Sequence, residues 1–382
     1  MKVALYISPA HTVPPETNSI LAPWWLVADI ADGLVDRGHD VTLFGARGSK
    51  TKSKLVSLDI EAFDSKQKDM TQQEYQRYAT FMEQRLAAEM YKEAARGRFD
   101  IIGNHLVLKT LPFTRFTDTP TMYTLHDPLA PDKVGLYRQY RDVPSIHYVS
   151  ISDAQRAGAD LPFAGTVYNG LRLRDYTFSK MGQGYLLAVG RIRKEKGFTD
   201  AITVAKQLEV TLVISGEYFP QYPDIAAYWE SQVKPHIDGE RVIYRGPMPR
   251  SDVIDLYKEA TALLFPIHWE EPFGLVMIEA MACGTPVVGY NRGSVSEIVR
   301  DGVTGFIVDP PEEDAQTQDL GHKTQDLGRW IIKKRGIEGL VEAVKRIGEI
   351  DRTACRRHVE ENFTVEKMVE GYERVYKKIL GI

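Results

Sequence analysis

Glu271 and Glu279 stand eight residues apart in the run Trp269-Glu270-Glu271-Pro272-Phe273-Gly274-Leu275-Val276-Met277-Ile278-Glu279-Ala280-Met281-Ala282-Cys283-Gly284-Thr285-Pro286-Val287-Val288. The run reads as a strand end, a loop, a helix and the next strand. Pro272 sits just before the helix and Gly274 opens it, where a missing Cβ lets a ligand come close to the backbone. Free N–H groups at a helix start favour a phosphate. Eight residues are about two helical turns, so a ligand lying along the helix start can meet both carboxylates. Arg191 and Lys196 follow another apolar run, Tyr185 to Val189, and taken alone are two surface cations. His126 follows an apolar run as well and precedes Asp127.

These residues need a scaffold, and the chain supplies one twice. Val3 to Ile7 is a continuous apolar run, as expected for a strand covered on both faces. Leu26, Val27, Ile30, Ala31, Leu34 and Val35 then recur at helical spacing, and Gly38 ends that helix in the manner of a left-handed cap. Further strands are expected at Val41 to Phe44, Asp100 to Ile102, Thr121 to Leu125 and Ile146 to Ile151, with a long helix marked by Tyr75, Tyr78, Ala79, Met82, Leu86 and Met90. Ser152 caps a helix through Arg156. A second series runs through Tyr185 to Val189, Thr211 to Ile214, Arg241 to Tyr244, Ala262 to Phe265, Pro286 to Gly289 and Phe306 to Val308. Two alternating series predict two doubly wound α/β domains. They divide at residues 1–170 and 171–360, and a closing amphipathic helix in 361–382 crosses back to the first. Two facing domains enclose a cleft, a favoured place for a small-molecule site.

In the order and spacing of its motifs the chain resembles the retaining glycosyltransferases of family 4, of the GT-B fold with two facing Rossmann-like domains. The resemblance rests on Glu271 and Glu279 in their context. It rests also on Val189-Gly190-Arg191 followed by Lys194-Glu195-Lys196-Gly197, and on Arg37 to Leu43, Thr124-Leu125-His126-Asp127, Ser150 to Asp153, Tyr168-Asn169-Gly170, Gly293 to Glu297 and Asp301 to Phe306. It implies transfer of a hexose from a nucleotide-sugar, UDP-glucose first, to an acceptor hydroxyl with retained configuration. It implies that Arg191 and Lys196 contact the diphosphate, where cations stabilise the charge that builds on the leaving group. Glu279 would bind the ribose hydroxyls, and Glu271 the donor sugar near the reacting carbon. Phe273, Gly274 and Leu275 would present backbone groups, Met248 would lie beside the base, and His126 beside the donor sugar as a polar contact. No Asp-x-Asp pair of the kind that holds a metal on the diphosphate occurs, so protein cations are expected in its place, with no cofactor. The family often has a Gly-Gly turn after the first strand. Here Thr12 to Trp25 has no glycine, and Asn18, Trp24 and Trp25 are candidate acceptor contacts.

Composition narrows the alternatives. The 382 residues carry Lys+Arg 48 against Asp+Glu 52, a net charge of -4, which gives no support to nucleic-acid binding. Two cysteines make no disulfide framework, and a cytoplasmic location is expected. Val3 to Ile7 is too short for a signal-peptide core, and membrane attachment is at most peripheral; the cluster Lys50, Lys52, Lys54, Lys66 and Lys68 reads as a solvated loop. Gly182-Gln183-Gly184 lacks the third glycine of a dinucleotide site and precedes a strand. A nucleotide-sugar 2-epimerase and a non-catalytic nucleotide-sugar-binding protein remain the rival readings. Thr317 to Gly321 recurs at Thr324 to Gly328, a small duplication with no function assigned.

Overall fold

The computed structural model describes residues 1–15, 21–312 and 329–382; Asn18 and the duplicated segment lie outside them. The chain divides into two compact units. One comprises Met1–Ile151, Ala159–Gly170 and Val365–Ile382, the other Ser152–Gly158 and Leu171–Thr364.

The first unit is built on a parallel sheet of β1 (Lys2–Tyr6), β2 (Asp40–Phe44), β3 (Lys54–Val56), β4 (Ile101–Asn104), β5 (Thr121–Thr124), β6 (Ile146–Ser150) and β7 (Phe163–Thr166), in the order β3-β2-β1-β4-β5-β6-β7. In β1, Val3 lies opposite Val41 on one side and Ile101 on the other. Its residues alternate between two cores, which explains the unbroken apolar run. Val3 and Leu5 pack with Leu26, Val27, Met368 and Tyr372, whereas Ala4 and Tyr6 pack with Leu86 and Met90. The first core is covered by α1 (Ala22–Asp36) and the closing helix, the second by α2 (Gln72–Ala95). Thr71 and Glu74 cap α2 reciprocally, which fixes its start. Helix α3 (Pro131–Arg138) precedes β6. Gly38 has φ 84°, the left-handed conformation its place at the end of α1 requires.

Two short strands escape the sequence pattern. β3 lies in the lysine-rich connection, where Lys52 pairs with Asp36 and Lys54 with Asp40; β7 is four residues interrupted by Gly165. The short helix α4 (Asp153–Arg156) belongs to the second unit rather than to 1–170. Its Asp153 and Ala154 N–H groups donate to the Glu297 carboxylate at 2.8 and 2.5 Å, and Ser152 caps it by accepting from the Gln155 N–H at 3.0 Å.

The second unit's parallel sheet has the order β10-β9-β8-β11-β12-β13, from β8 (Tyr185–Val189), β9 (Thr211–Ser215), β10 (Val242–Gly246), β11 (Ala262–Phe265), β12 (Val287–Tyr290) and β13 (Gly305–Val308). Its helices include α5 (Phe198–Leu208), α6 (Pro223–Tyr228), α7 (Arg250–Glu259), α8 (Leu275–Ala282), α9 (Val295–Ile298), α10 (Gly336–Lys345) and α11 (Arg352–Asn362). The closing helix, α12 (Val365–Leu380), packs on the first unit. It buries Met368, Val369, Tyr372, Val375 and Tyr376, a stripe at three- and four-residue spacing. A Cβ at Gly33 would lie 2.5 Å from Val369, so α1 and α12 can touch only because residue 33 has none.

On α12, Glu373 accepts hydrogen bonds from Lys377 and Arg37, and these hold its carboxyl down at about 2. A carboxylate depressed in the folded state contributes stability above its unfolded pKa and loses it as pH falls through the folded value. The stability of the native protein is therefore expected to decline from about pH 4.5 down to about pH 2, and Glu373→Gln should flatten that slope. Urea midpoints of the two proteins between pH 2.5 and 6 measure it; equal slopes would contradict the assignment.

Candidate functional site

The site residues of the second unit sit at the carboxyl ends of its strands, where parallel α/β sheets bind ligands. Lys196 lies in the turn after β8 and Glu271 in the loop after β11. Two backbone contacts bring them together. A Cβ at Gly197 would stand 1.8 Å from the Pro266 carbonyl oxygen, and the His268 N–H donates to the Glu195 carbonyl at 2.8 Å. The Lys196 ammonium then reaches Glu271 Oε2 at 2.6 Å. Trp269 closes the group, its indole N–H donating to the same oxygen at 3.0 Å and its ring lying 4.5 Å beneath the ammonium. Only 15% of the Lys196 side chain and 12% of the Glu271 side chain are exposed, so water screens the pair weakly. Glu271 Oε1 has no partner among the described residues and is available to a ligand.

The loop carrying Glu271 is held from behind by the turn after β12. Gly293 sits at φ 53°, and a Cβ there would meet the Glu271 backbone at 2.3 Å. Ser294 donates its N–H to the Glu271 carbonyl at 3.0 Å and its hydroxyl to the Phe273 carbonyl at 2.8 Å. Arg292 pairs with Glu270 at 3.1 Å. Gly274, at φ 75°, caps the start of α8, and a Cβ on it would press on Met277 at 2.7 Å. The side chain of Phe273 is core and only its backbone faces the loop, whereas Leu275 is half-buried.

Glu279, in the second turn of α8, accepts two phenol hydrogen bonds, from Tyr176 to Oε1 at 2.9 Å and from Tyr257 to Oε2 at 3.0 Å. Arg250, at the start of α7, donates to the Tyr176 oxygen at 2.9 Å. Burial, and then the nearby carboxylate, push both phenols well above the usual tyrosine range, so they stay protonated donors. Arg191 is exposed just beyond β8 and makes no side-chain hydrogen bond or ion pair among the described residues. Met248 is half-buried in the turn between β10 and α7. The structure thus brings Lys196 to Glu271, with Gly274 beside them.

In the first unit, His126 follows β5 and stacks on His105, which follows β4, with centroids 5.2 Å apart and His105 Nδ1 to His126 Nε2 at 2.9 Å. Burial pushes His126 down to about 4 and His105 well below its ordinary value, so both rings are neutral at pH 7. His105 Nε2 is buried without a partner. A buried orphan N–H is rarer than an orphan acceptor, which assigns the shared proton to His105 Nδ1. His126 is left with a donor at Nδ1 and an occupied Nε2, an arrangement for gripping a hydroxyl oxygen rather than removing a proton. Trp24, in the first turn of α1, donates its indole N–H to the Ser8 carbonyl at 2.9 Å and meets the His11 ring edge-on at 4.8 Å, so it is anchored in the packing of its own unit. Trp25 is half-buried beside it.

Sequence reasoning named no role for Tyr176, Tyr257, Arg250, His105 or Trp269. Trp269, two residues from Glu271, was within reach of the motif; the others are neighbours only in the folded chain. Among the described residues no three His, Cys, Asp or Glu side chains gather as a metal site requires, and no helix is long and apolar enough to cross a membrane.

Residues 172–321, which hold the Lys196, Glu271 and Glu279 groups, match the family described as glycosyl transferases group 1. The D-inositol 3-phosphate glycosyltransferase of Rhodococcus jostii is 33% identical over 137 residues, 36% of this chain and 26% of that protein. The glycogen synthase of Mycobacterium tuberculosis is 33% identical over 162 residues, 40% of this chain and 38% of that protein. The chain thus spans less than half the length of these curated relatives. Among solved structures, the sucrose-phosphate synthase of Thermosynechococcus elongatus superposes with a TM-score of 0.72 at 17% identity, covering 100% of this chain and 99% of that one. The Anabaena protein HepE, in complex with UDP and glucose, superposes with a TM-score of 0.64 at 18% identity, covering 98% of each chain. The two units have the GT-B fold, and residues 172–321 are similar to the group 1 glycosyltransferases.

Proposed function

We propose that the protein moves a hexose from a nucleotide-sugar, a UDP-hexose of the glucose type, to a hydroxyl of a sugar or small-molecule acceptor, with retention of configuration and without a metal ion. It works in the cytoplasm, attached to membranes at most peripherally. The observation that carries this reading is the Lys196–Glu271–Trp269 group beside the α8 start: a cation and a carboxylate held together at the carboxyl end of the sheet's two central strands. Arg191, Lys196 and the N–H groups opening α8 receive the diphosphate. Lys196 and Arg191 stabilise the charge that builds on the β-phosphate as the bond from the anomeric carbon to its oxygen breaks. Glu271 Oε1 accepts from a donor-sugar hydroxyl, and His126 Nδ1–H donates to another. The acceptor oxygen bonds to the same face of the anomeric carbon, and its proton passes to the departing phosphate oxygen. Met248 lies beside the base, and Phe273 to Leu275 offer backbone groups. The segment 12–25 would shape the acceptor pocket, with Asn18, Trp24 and Trp25 as its candidate contacts.

The test is to incubate the purified protein with UDP-glucose or GDP-mannose, with and without a panel of sugar acceptors, in excess EDTA. Expected is acceptor-dependent release of UDP and a product whose anomeric proton coupling matches the donor. A new nucleotide-sugar formed without acceptor would identify an epimerase instead, tight binding without turnover a binding protein, and a strict need for Mn2+ would remove the metal-free mechanism. Glu271→Gln should lower kcat about 100-fold, about 2.7 kcal/mol, with a smaller change in KM, because its sugar contact tightens as the bond breaks. A change confined to KM would reassign Glu271 to ground-state binding.

A further inference from the structure

We propose that Asp200 is a positioning residue that sets the contact between Lys196 and Glu271: one of its carboxylate oxygens ties together the three segments of the second unit that carry or hold that pair. The rate effect expected of it rests on the nucleotide-sugar reading above.

Asp200 lies in the first turn of α5, four residues after Lys196, where the helix start favours a carboxylate. Its Oδ2 stands 3.2 Å from Nε2 of His268, in the loop after β11, and accepts from the hydroxyl of Tyr290, at the end of β12, at 2.8 Å. An ionised carboxylate only accepts, which assigns the shared proton to His268 Nε2. The His268 and Tyr290 rings meet edge-on with centroids 5.6 Å apart, so the three side chains form one cluster. Tyr290 is fully buried, and only 26% of the His268 side chain and 17% of the Asp200 side chain are exposed.

Each tie leads to a residue of the site. Glu271 follows His268 by three residues, and Gly293 and Ser294, which hold the Glu271 backbone from behind, follow Tyr290 by three and four. The segment that carries Lys196 grips His268 twice, at its N–H through the Glu195 carbonyl at 2.8 Å and at its ring through Asp200. Held by the N–H alone, the loop could pivot about a single point; a second attachment removes that freedom. The Lys196 ammonium and Glu271 Oε2 then meet at 2.6 Å in a fixed register. Misplacing a reacting group by about 1 Å can cost about 100-fold in rate, so the register matters more than the strength of any one bond.

The experiment joins kinetics to the indole N–H resonance of Trp269, which donates to Glu271 Oε2, in protein carrying isotope-labelled tryptophan and assigned by Trp269→Phe. Asp200→Ala and His268→Leu should each move this resonance toward its position in Glu271→Gln and lower kcat with UDP-glucose and acceptor by about 10-fold or more. Asp200→Asn and His268→Gln, which keep an acceptor and a donor in place, should restore the wild-type resonance and bring kcat within about 3-fold of wild type. Asp200→Ala combined with Glu271→Gln should lose much less than the product of the two single losses, as coupled residues do. A Trp269 resonance unmoved in both Asp200→Ala and His268→Leu would overturn the proposal, and so would losses that multiply in the double variant. A resonance that responds as expected in a protein that transfers no sugar would support the positioning role and overturn the nucleotide-sugar reading.

Discussion

Lys196→Ala is expected to lower kcat/KM for the nucleotide-sugar reaction by about 100- to 1,000-fold, about 2.7–4 kcal/mol, the range for a lost donor to developing negative charge. The loss has two sources. The ammonium no longer stabilises the leaving phosphate, and Glu271 loses the partner that sits 2.6 Å from Oε2, keeping only the Trp269 N–H. In the proposed complex the unpaired carboxylate would then repel the diphosphate. Steady-state kinetics with UDP-glucose and the acceptor found by screening measure the effect. Arg191→Ala should cost less, because Arg191 is exposed and salt and water screen it. A Lys196→Ala protein with wild-type kcat/KM would remove Lys196 from the mechanism. An Arg191→Ala loss larger than that of Lys196→Ala would transfer the main electrostatic role to the exposed cation.

The largest expected effect on stability lies elsewhere in the second unit. Arg352, near the start of α11, donates to the Ser179, Ala260 and Lys258 carbonyls at 2.9, 2.7 and 2.8 Å, and to the Thr285 hydroxyl at 2.8 Å. Burial lowers its guanidinium from the ordinary arginine value, a sign of how dry the location is, yet the group stays charged. Hydrogen bonds to charged groups contribute about 1.5–3 kcal/mol each, and a stranded buried acceptor costs about 1–3. The four are not additive, and Arg352→Met should destabilise the protein by about 3 kcal/mol or more. With two units the unfolding need not be two-state, so the readout is the transition that includes the second unit, followed by tryptophan fluorescence in urea. A midpoint equal to wild type would show that water replaces the guanidinium without loss.

How much was legible in the sequence depended on whether the signal was local. Both sheets show through their central strands because burial on two faces leaves continuous apolar runs, as in Val3 to Tyr6. The edge strand β3 does not, because an edge can carry Lys54, whose ammonium reaches Asp40. Gly38 was placed correctly at the end of α1 because a positive φ restricts the residue type at a single position. Lys196 and Glu271 could be nominated separately, but their contact depends on Gly197 approaching Pro266, 69 residues away. Tyr176 and Tyr257 carried no local signal, since their spacing from Glu279 reflects crossover lengths rather than helix or strand period. His105 is the instructive omission. It ends an apolar strand in the same manner as His126, and adjacency of β4 and β5 in the sheet makes the two histidines neighbours.

The chain passes between the two units four times, at residues 151/152, 158/159, 170/171 and 364/365. Neither unit can therefore be obtained as one uninterrupted fragment. A protein ending at residue 170 would lack α12, leaving the apolar face of α1 around Leu26, Val27 and Ile30 in water and prone to association. A fragment beginning at 171 would lack α4, stranding the Glu297 carboxylate that α4 normally occupies. Recombination follows the same rule: a hybrid that takes the second unit from a relative must retain α12 from the parent of the first and import residues 152–158 with the second. Crossovers at 151, 158, 170 and 364 keep every such contact within one parent, whereas a single crossover at 170 mixes parents in both cores.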